Sequence, residues 1–404
     1  MAQASMTTIT ALLKELYEGR LQNQMENEKV VSKRIESTSR GVTETVGGKY
    51  VDFPIKVGRN SGVGSRFENE ALPTAGSQRY NEVHVPLTTS YGVFRVTGHM
   101  MELAETNAQA FASGMQEEMD GLKEDSAYDY ERQSVGTGTG LLATVTADGA
   151  NTVTVDNIQY LFVGMVIDAR VKVTGAISGA DSREITAINK VTRVVTYSGA
   201  DAAVVADGTV GLYREDNFVG ANARELSGIE KIADDATLFH NVDPATEPVW
   251  QPSILANAGT NRPLAEGLMI QLVDDIRVNG GGNDVSVIFT GLGVRRAYFD
   301  LLVQQRRQVN TKEFAGGFTG LPFNHGKEIP IVDCLSLLPN RMIALSESKI
   351  KRYRNQDWHF GRGDGTILKW VSGFDAYQGF LKIHSEYGTN QRNAHGTLKD
   401  LIEG

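Results

Sequence analysis

Between residues 7 and 25 the apolar positions Ile9, Leu12, Leu13, Leu16, Tyr17 and Leu21 recur at spacings of three and four. That period predicts an amphipathic helix with one apolar stripe. A lone helix of this length does not bury its own stripe, so it lies on the parent body or on a neighbour. Residues 26–45 turn polar (Glu26, Glu28, Lys29, Lys33, Arg34, Glu36, Arg40, Glu44) and read as an extended arm. Period two takes over in 49–57 and 82–97, where β-branched and aromatic residues predict strands. The glycine-rich stretch 58–80 between them has no apolar period. A loop that long is unusual inside a compact domain, so the reading is a two-stranded excursion with a flexible tip.

Residues 100–133 carry the strongest helical pattern, with Met101, Ala104, Ala108, Phe111, Met115, Met119, Leu122 and Tyr130 on one stripe. At 1.5 Å per residue such a helix is about 50 Å long. Its other face is acidic: nine acids against Lys123 and Arg132. The GTGTG run at 136–140 ends it. From 141 to 215 short β runs alternate with turn signals such as Asp148-Gly149 and Asp207-Gly208, which predicts a small all-β module of about 75 residues, with apolar residues enough for a small barrel core. Helical patterns at 262–278 and 294–308 flank a strand pattern at 284–290, and the last hundred residues are β-rich.

Composition narrows the class. The chain has 404 residues, 41% hydrophobic and 22% charged, which suits a folded protein of two or three domains. It holds 43 glycines but 10 prolines, so the excess glycine marks turns and loops. The net charge of −9 argues against a general nucleic-acid binder, which needs a basic surface to displace counterions. The lone Cys334 excludes an intrachain disulfide and a multi-cysteine zinc site. No run approaches the ~18 apolar residues of a membrane span, and the N-terminus lacks the basic and apolar regions of a secretory signal. A cytosol-like compartment is the expectation.

Catalytic motifs are absent. No nucleophile elbow, Walker A run or HxxxH pair is present, and no cofactor or metal is expected. The strand-turn-helix text around Gly291-x-Gly293 begins like a dinucleotide fingerprint, but Arg296 stands where a third glycine belongs. A tight strand-to-helix turn accounts for it. Arg295, Arg296, Arg306 and Arg307 share a helix with a core stripe and read as a solvated or interface face. Arg362-Gly363-Asp364 reads as a turn before it reads as an adhesion tripeptide.

The order of parts is informative where single motifs are not. The stretch GRNSGVGSRFENEALPTAGSQRYNEV leading through YGVFRVTG, and the closing NAHGTLKDL, resemble the corresponding stretches of tailed-bacteriophage major capsid proteins of the Hong Kong 97 type. The resemblance implies an α+β capsid fold with an N-terminal arm at 1–45, an E-loop at 46–97 and a spine helix of the peripheral domain at 98–135. It further implies an inserted β module at 140–216, a mainly axial domain at 217–350 and closing peripheral strands at 351–404. The implied function is self-assembly, as hexamers and pentamers, into the icosahedral head shell around a double-stranded DNA genome bound without sequence specificity. The implied partners are a separate scaffolding protein, a portal at one vertex and a decoration protein, with no membrane. Inter-subunit contacts fall on Arg59, Arg66, Glu68, Glu70 and Arg79 of the E-loop, and on Leu12, Leu13 and Leu16 of the arm. Glu117, Glu118 and Asp120 would face the lumen, where an acidic lining repels phosphate. Cross-linking members of the family join an E-loop lysine to a neighbour's asparagine. Here 59–80 holds no lysine, although Asn393 falls near the acceptor's place. An encapsulin-like compartment shell is the alternative, and a dinucleotide-binding enzyme the less favoured one.

Overall fold

A computed structural model of the chain describes residues 30–39, 50–100, 108–199, 203–220, 222–304, 312–314, 318–324, 326–361 and 367–404. The strand Ala376–Thr389 organises one half of the body. Along one edge it pairs antiparallel with Thr88–Thr97, from Ala376↔Thr97 to Ser385↔Thr88. Along the other it pairs in turn with Lys369–Trp370, His359–Phe360 and Ile350–Arg354. The sequence alternates as a half-covered sheet requires: Leu381 and Ile383 are buried, while Phe380 and Lys382 are partly exposed.

The long helix, Ala108–Val135, lies across the covered face. Its 28 residues span about 42 Å. It ends at Val135, two residues beyond the apolar pattern read at 100–133; residues 101–107 lie outside the described ones. Gly92 permits its close approach, because a Cβ there would stand 2.4 Å from Ser126 Oγ. The helix C-terminus is buried over Tyr130–Val135. There Tyr130 shares a 2.8 Å hydrogen bond with Ser385, and Tyr387 donates to Ser134 at 3.0 Å.

The second half is a seven-stranded mixed sheet. In spatial order its strands are Ser253–Leu255, Gly396–Leu398, Met342–Leu345, Val287–Thr290, Glu328–Asp333, Phe318–Asn324 and Lys312–Phe314. The helix Glu266–Asn279 buries Met269, Leu272, Val273 and Ile276 against it, and the helix Leu292–Gln304 buries Val294, Tyr298 and Leu302.

Between the long helix and this half the chain makes a closed six-stranded barrel. Round the barrel run Val210–Arg214, Ala143–Gly149, Thr152–Val155, Val194–Tyr197, Arg183–Asn189 and Val166–Val171. Val145, Val153, Ile167, Ile185, Val195 and Leu212 fill it. It has its own core and shares no strand with either sheet.

The polar stretch read as an extended arm behaves otherwise where it is described. Val31–Arg34 forms one helical turn and Ser37–Thr38 adds a parallel strand beside Ile350–Arg354. Val30, Val31 and Ile35 are buried in the main core. The Glu131 carboxylate accepts the Val31 amide at 2.6 Å and the Ser32 amide at 3.0 Å, so a residue of the long helix caps this turn. Three apolar side chains and one distant carboxylate outweigh the polar text around them. Leu12, Leu13 and Leu16 lie outside the described residues.

Glu386, His240 and His395 are buried groups whose shifts make the stability of this fold depend on pH. Buried Glu386 accepts hydrogen bonds from Thr88 Oγ1 at 2.8 Å and the Ser227 amide at 2.6 Å, and its burial pushes the carboxyl up to about 8. Burial also pushes His240 down to about 4 and His395 down to about 3. The raised carboxyl contributes stability that is complete below its ordinary 4.5 and is lost as pH rises through 8. The lowered imidazoles contribute stability present above 6.5 and lost as pH falls towards 4 and 3. Between 4.5 and 6.5 the unfolded chain binds two protons on the histidines against one held by folded Glu386, so stability climbs with pH. Above 6.5 the raised Glu386 carboxyl works against the fold, and stability falls towards pH 8. Melting temperature is expected to peak near pH 6.5, and Glu386→Gln to remove the alkaline decline. An unmodified chain with no alkaline decline contradicts this assignment.

Candidate assembly surfaces

The excursion is a two-stranded ribbon, Tyr50–Gly58 against Arg79–Pro86, in register from Tyr50↔Pro86 to Gly58↔Arg79. Val51, Ile55, Val57, Val83 and Val85 bury its inner face in the main core. At about 3.3 Å per residue its strands carry the tip nearly 30 Å from the root. A bulge falls between Lys56 and Gly58, at the entry to the tip.

The tip, 59–78, forms no strand and is shaped by its own side chains. Arg66 donates from Nε to the Ala71 carbonyl at 3.1 Å and from Nη1 to the Ser65 carbonyl at 2.9 Å. Glu70 accepts the Phe67 amide at 3.1 Å and closes a turn in which Asn69 takes a left-handed φ of 69°. Arg79 forms a 2.5 Å ion pair with Glu247 of its own chain, which steers the ribbon. Arg59 and Glu68 are exposed. So the five charged residues chosen from the sequence share one element, but three of them shape and aim it.

The sequence reading missed the apolar residues between them. Val63, Phe67 and Leu72 are 86%, 84% and 86% exposed. The three side chains stand on one loop whose backbone is held by its own hydrogen bonds. Their signal was present in the text as apolar residues in an otherwise polar tip. Without a period, nothing there gave them weight.

The acidic helix face divides. Glu131 caps the arm turn, as described. Burial pushes Asp129 upward, but Arg132 and Arg214 outweigh it and hold the carboxyl at about 2. Glu118 and Asp120 are half-buried, and Asp120 accepts Lys123 at 2.8 Å. The Glu117 side chain lies outside the described residues. The face drawn as one uniform lining is therefore continuous over fewer residues than the sequence shows.

The glycine pair offers no dinucleotide site. Val287–Thr290 runs parallel to one neighbour and antiparallel to the other, unlike a doubly wound sheet. A Cβ on Gly291 would stand 2.3 Å from the Leu338 carbonyl, and one on Gly293 would meet Glu403 at 2.6 Å. The glycines admit the chain's own loop and C-terminus where a pyrophosphate would have to lie. Val294 donates to the Pro339 carbonyl at 3.0 Å, so that helix end is already occupied. Among the described residues no cluster of His, Cys, Asp and Glu could hold a metal, and no helix is long and apolar enough to cross a membrane. Asn393 is buried and donates to the Asn279 carbonyl at 2.6 Å, so it is not presented to a neighbour. Arg306 and Arg307, and the tripeptide at 362–364, lie outside the described residues.

No family model and no curated protein matches the sequence. Solved structures do match the fold. A chain of the cyanophage A-1(L) capsid asymmetric unit is similar to it with a TM-score of 0.55 at 13% identity, over 97% of this chain and 98% of that one. A capsid chain of an empty gene-transfer-agent particle gives a TM-score of 0.49 at 8% identity, over 100% of both. The fold is the Hong Kong 97-type capsid fold.

Proposed function

We propose that this chain is the major capsid protein of a tailed bacteriophage, building the icosahedral head shell around double-stranded DNA from hexamers and pentamers of itself. The observation that carries the reading is the whole-length agreement with the cyanophage capsid chain. The exposed apolar tip supports it, because a repeated subunit buries such a loop on its neighbours under symmetry. A scaffolding protein, a portal and a decoration protein are the remaining partners of such a shell. The chain acts by assembly, not by catalysis.

Of the three residues expected to line the lumen, Asp120 borders it in this reading and repels packaged phosphate, while Glu118, two residues away, points to another side of the helix. The barrel, which has a core of its own, projects outward in this reading. A shell map with the helix face outward or the barrel inside contradicts these placements. Purified particles should contain nuclease-protected double-stranded DNA. A cargo enzyme in place of DNA marks an encapsulin-like compartment and contradicts the phage reading.

The shell should also lack covalent cross-links. The tip holds no lysine, and Asn393 is buried. Particles boiled in denaturant are expected to run as one band at the chain mass of 44.0 kDa. A ladder of covalent oligomers contradicts this. Exposed ion pairs contribute only about 0–1 kcal/mol each, so the apolar tip residues carry most of the hold.

A further inference from the structure

The seven-stranded sheet ends on an open strand. Among the described residues, Ser253–Leu255 pairs only with Gly396–Leu398, in parallel register from Ser253↔Gly396 to Leu255↔Leu398. The Ser253 amide donates to the His395 carbonyl at 3.0 Å, and the Leu255 carbonyl accepts the Lys399 amide at 3.1 Å. Both residues thus turn these groups inward, and alternation turns the amide and carbonyl of Ile254 to the open side. A groove of about 570 Å³ runs along that edge. One wall is the last turn of the helix Glu266–Asn279, where Asp275, Val278 and Asn279 share a face. The other wall is Pro248, Val249 and Pro252. Asn279 closes the floor: its Nδ2 donates to Ser253 Oγ at 3.0 Å, and its carbonyl accepts Asn393 Nδ2 at 2.6 Å. Val249 and Val278 are 51% and 80% exposed. Asp275 is the one charged residue lining the groove, and among the described residues it has neither a hydrogen bond nor an ion pair.

We infer that this groove takes an extended, lysine- or arginine-bearing segment of another protein as an added strand. Each feature supplies one part of the recognition. Ile254 offers a donor and an acceptor to the incoming backbone. Val249 and Val278, on opposite walls, cover its apolar side chains. The unpaired Asp275 carboxylate takes its cation and selects a basic segment over an acidic one. An edge strand lying beside a helix is a recurring device for holding an extended peptide, with backbone bonds for affinity and side-chain pockets for specificity. A ladder this short binds weakly to one chain, and repetition over many copies multiplies the hold. The groove is complete in a single chain, so the inference goes beyond the shell reading and does not depend on it.

A peptide titration tests it. The probe is a fluorescently labelled heptapeptide of alternating valine and lysine, with blocked ends, added to free subunits of the full chain. Saturable binding is expected, with slowed amide exchange at Ile254. The same peptide with glutamate for lysine is expected to bind at least roughly tenfold more weakly. Asp275→Asn is expected to weaken the lysine peptide about fivefold, within the range of a half-buried ion pair. That variant should keep its melting temperature, since Asp275 holds nothing within its own chain. A lysine peptide methylated at its backbone amides should not bind, because it cannot form a ladder. Absence of saturable binding overturns the inference. Undiminished binding of the methylated peptide, or by the Asp275→Asn chain, overturns it too, since the contact is then not a strand added beside Asp275. Ile254 exchange already slowed in particles of this chain alone also overturns it, because a second copy then fills the groove. In each case the shell reading stands, and a chain that forms no particles contradicts that reading instead.

Discussion

A chain whose residues 59–78 are replaced by a two-residue Asn-Gly turn is expected to fold with an unchanged melting temperature and to form no particles. The two halves of this result have separate causes. The excised residues contribute little to the parent chain: Val63, Phe67 and Leu72 are more than four-fifths exposed, and the tip's hydrogen bonds are mostly internal to it. The ribbon below keeps Val51, Ile55, Val57, Val83 and Val85 in the core, so its register survives. Assembly, in contrast, loses three side chains worth about 1.5–3 kcal/mol each when fully buried on a neighbour. The loss recurs at every subunit, so a shell held by weak repeated contacts does not close. Calorimetry and sedimentation check the two halves. Particles at wild-type yield would show that the loop is not an assembly element.

The largest effect on the single chain is expected at Arg132. Its Nε lies 3.0 Å from Asp129 and its Nη2 2.5 Å from Glu225, while the Glu225 carboxylate is only 4% exposed. Asp129 also binds Arg214 at the end of the barrel's last strand. One cation thus fastens the long helix to the segment leaving the barrel. Arg132→Met is expected to cost about 3–5 kcal/mol, the usual penalty for stranding a buried partner charge. The double variant Arg132→Met, Glu225→Leu is expected to recover most of it, because no carboxylate is then left without its cation. Denaturant unfolding of the three chains gives the comparison. A single variant within about 0.5 kcal/mol of wild type would mean that water, and not Arg132, satisfies these carboxylates.

Features with a short repeat were legible in the sequence. The three-and-four spacing of Met119, Leu122 and Tyr130 placed the long helix, and the alternation in 143–155 and 194–197 placed barrel strands that bury Val145, Val153, Val155 and Val195. Features joining distant residues were not. Glu131 caps Val31 across 100 residues, and Arg132 meets Glu225 across 93. Each looked like one more surface charge on an acidic face. The turn at Gly291 and Gly293 reads alike for a nucleotide and for packing; only Leu338 and Glu403, unrelated in sequence, separate the two. The candidate site was half legible. Its charges stood out at 59–79, whereas its apolar tip lacked a period.

The central claim is that many copies of this chain close into one shell. Negative-stain microscopy of the purified protein, with its mass in solution measured by light scattering, tests it most directly. The account predicts closed particles of uniform diameter and a megadalton mass, built from 44.0 kDa chains. A protein that stays monomeric or dimeric under assembly conditions, scaffolding protein included, contradicts it.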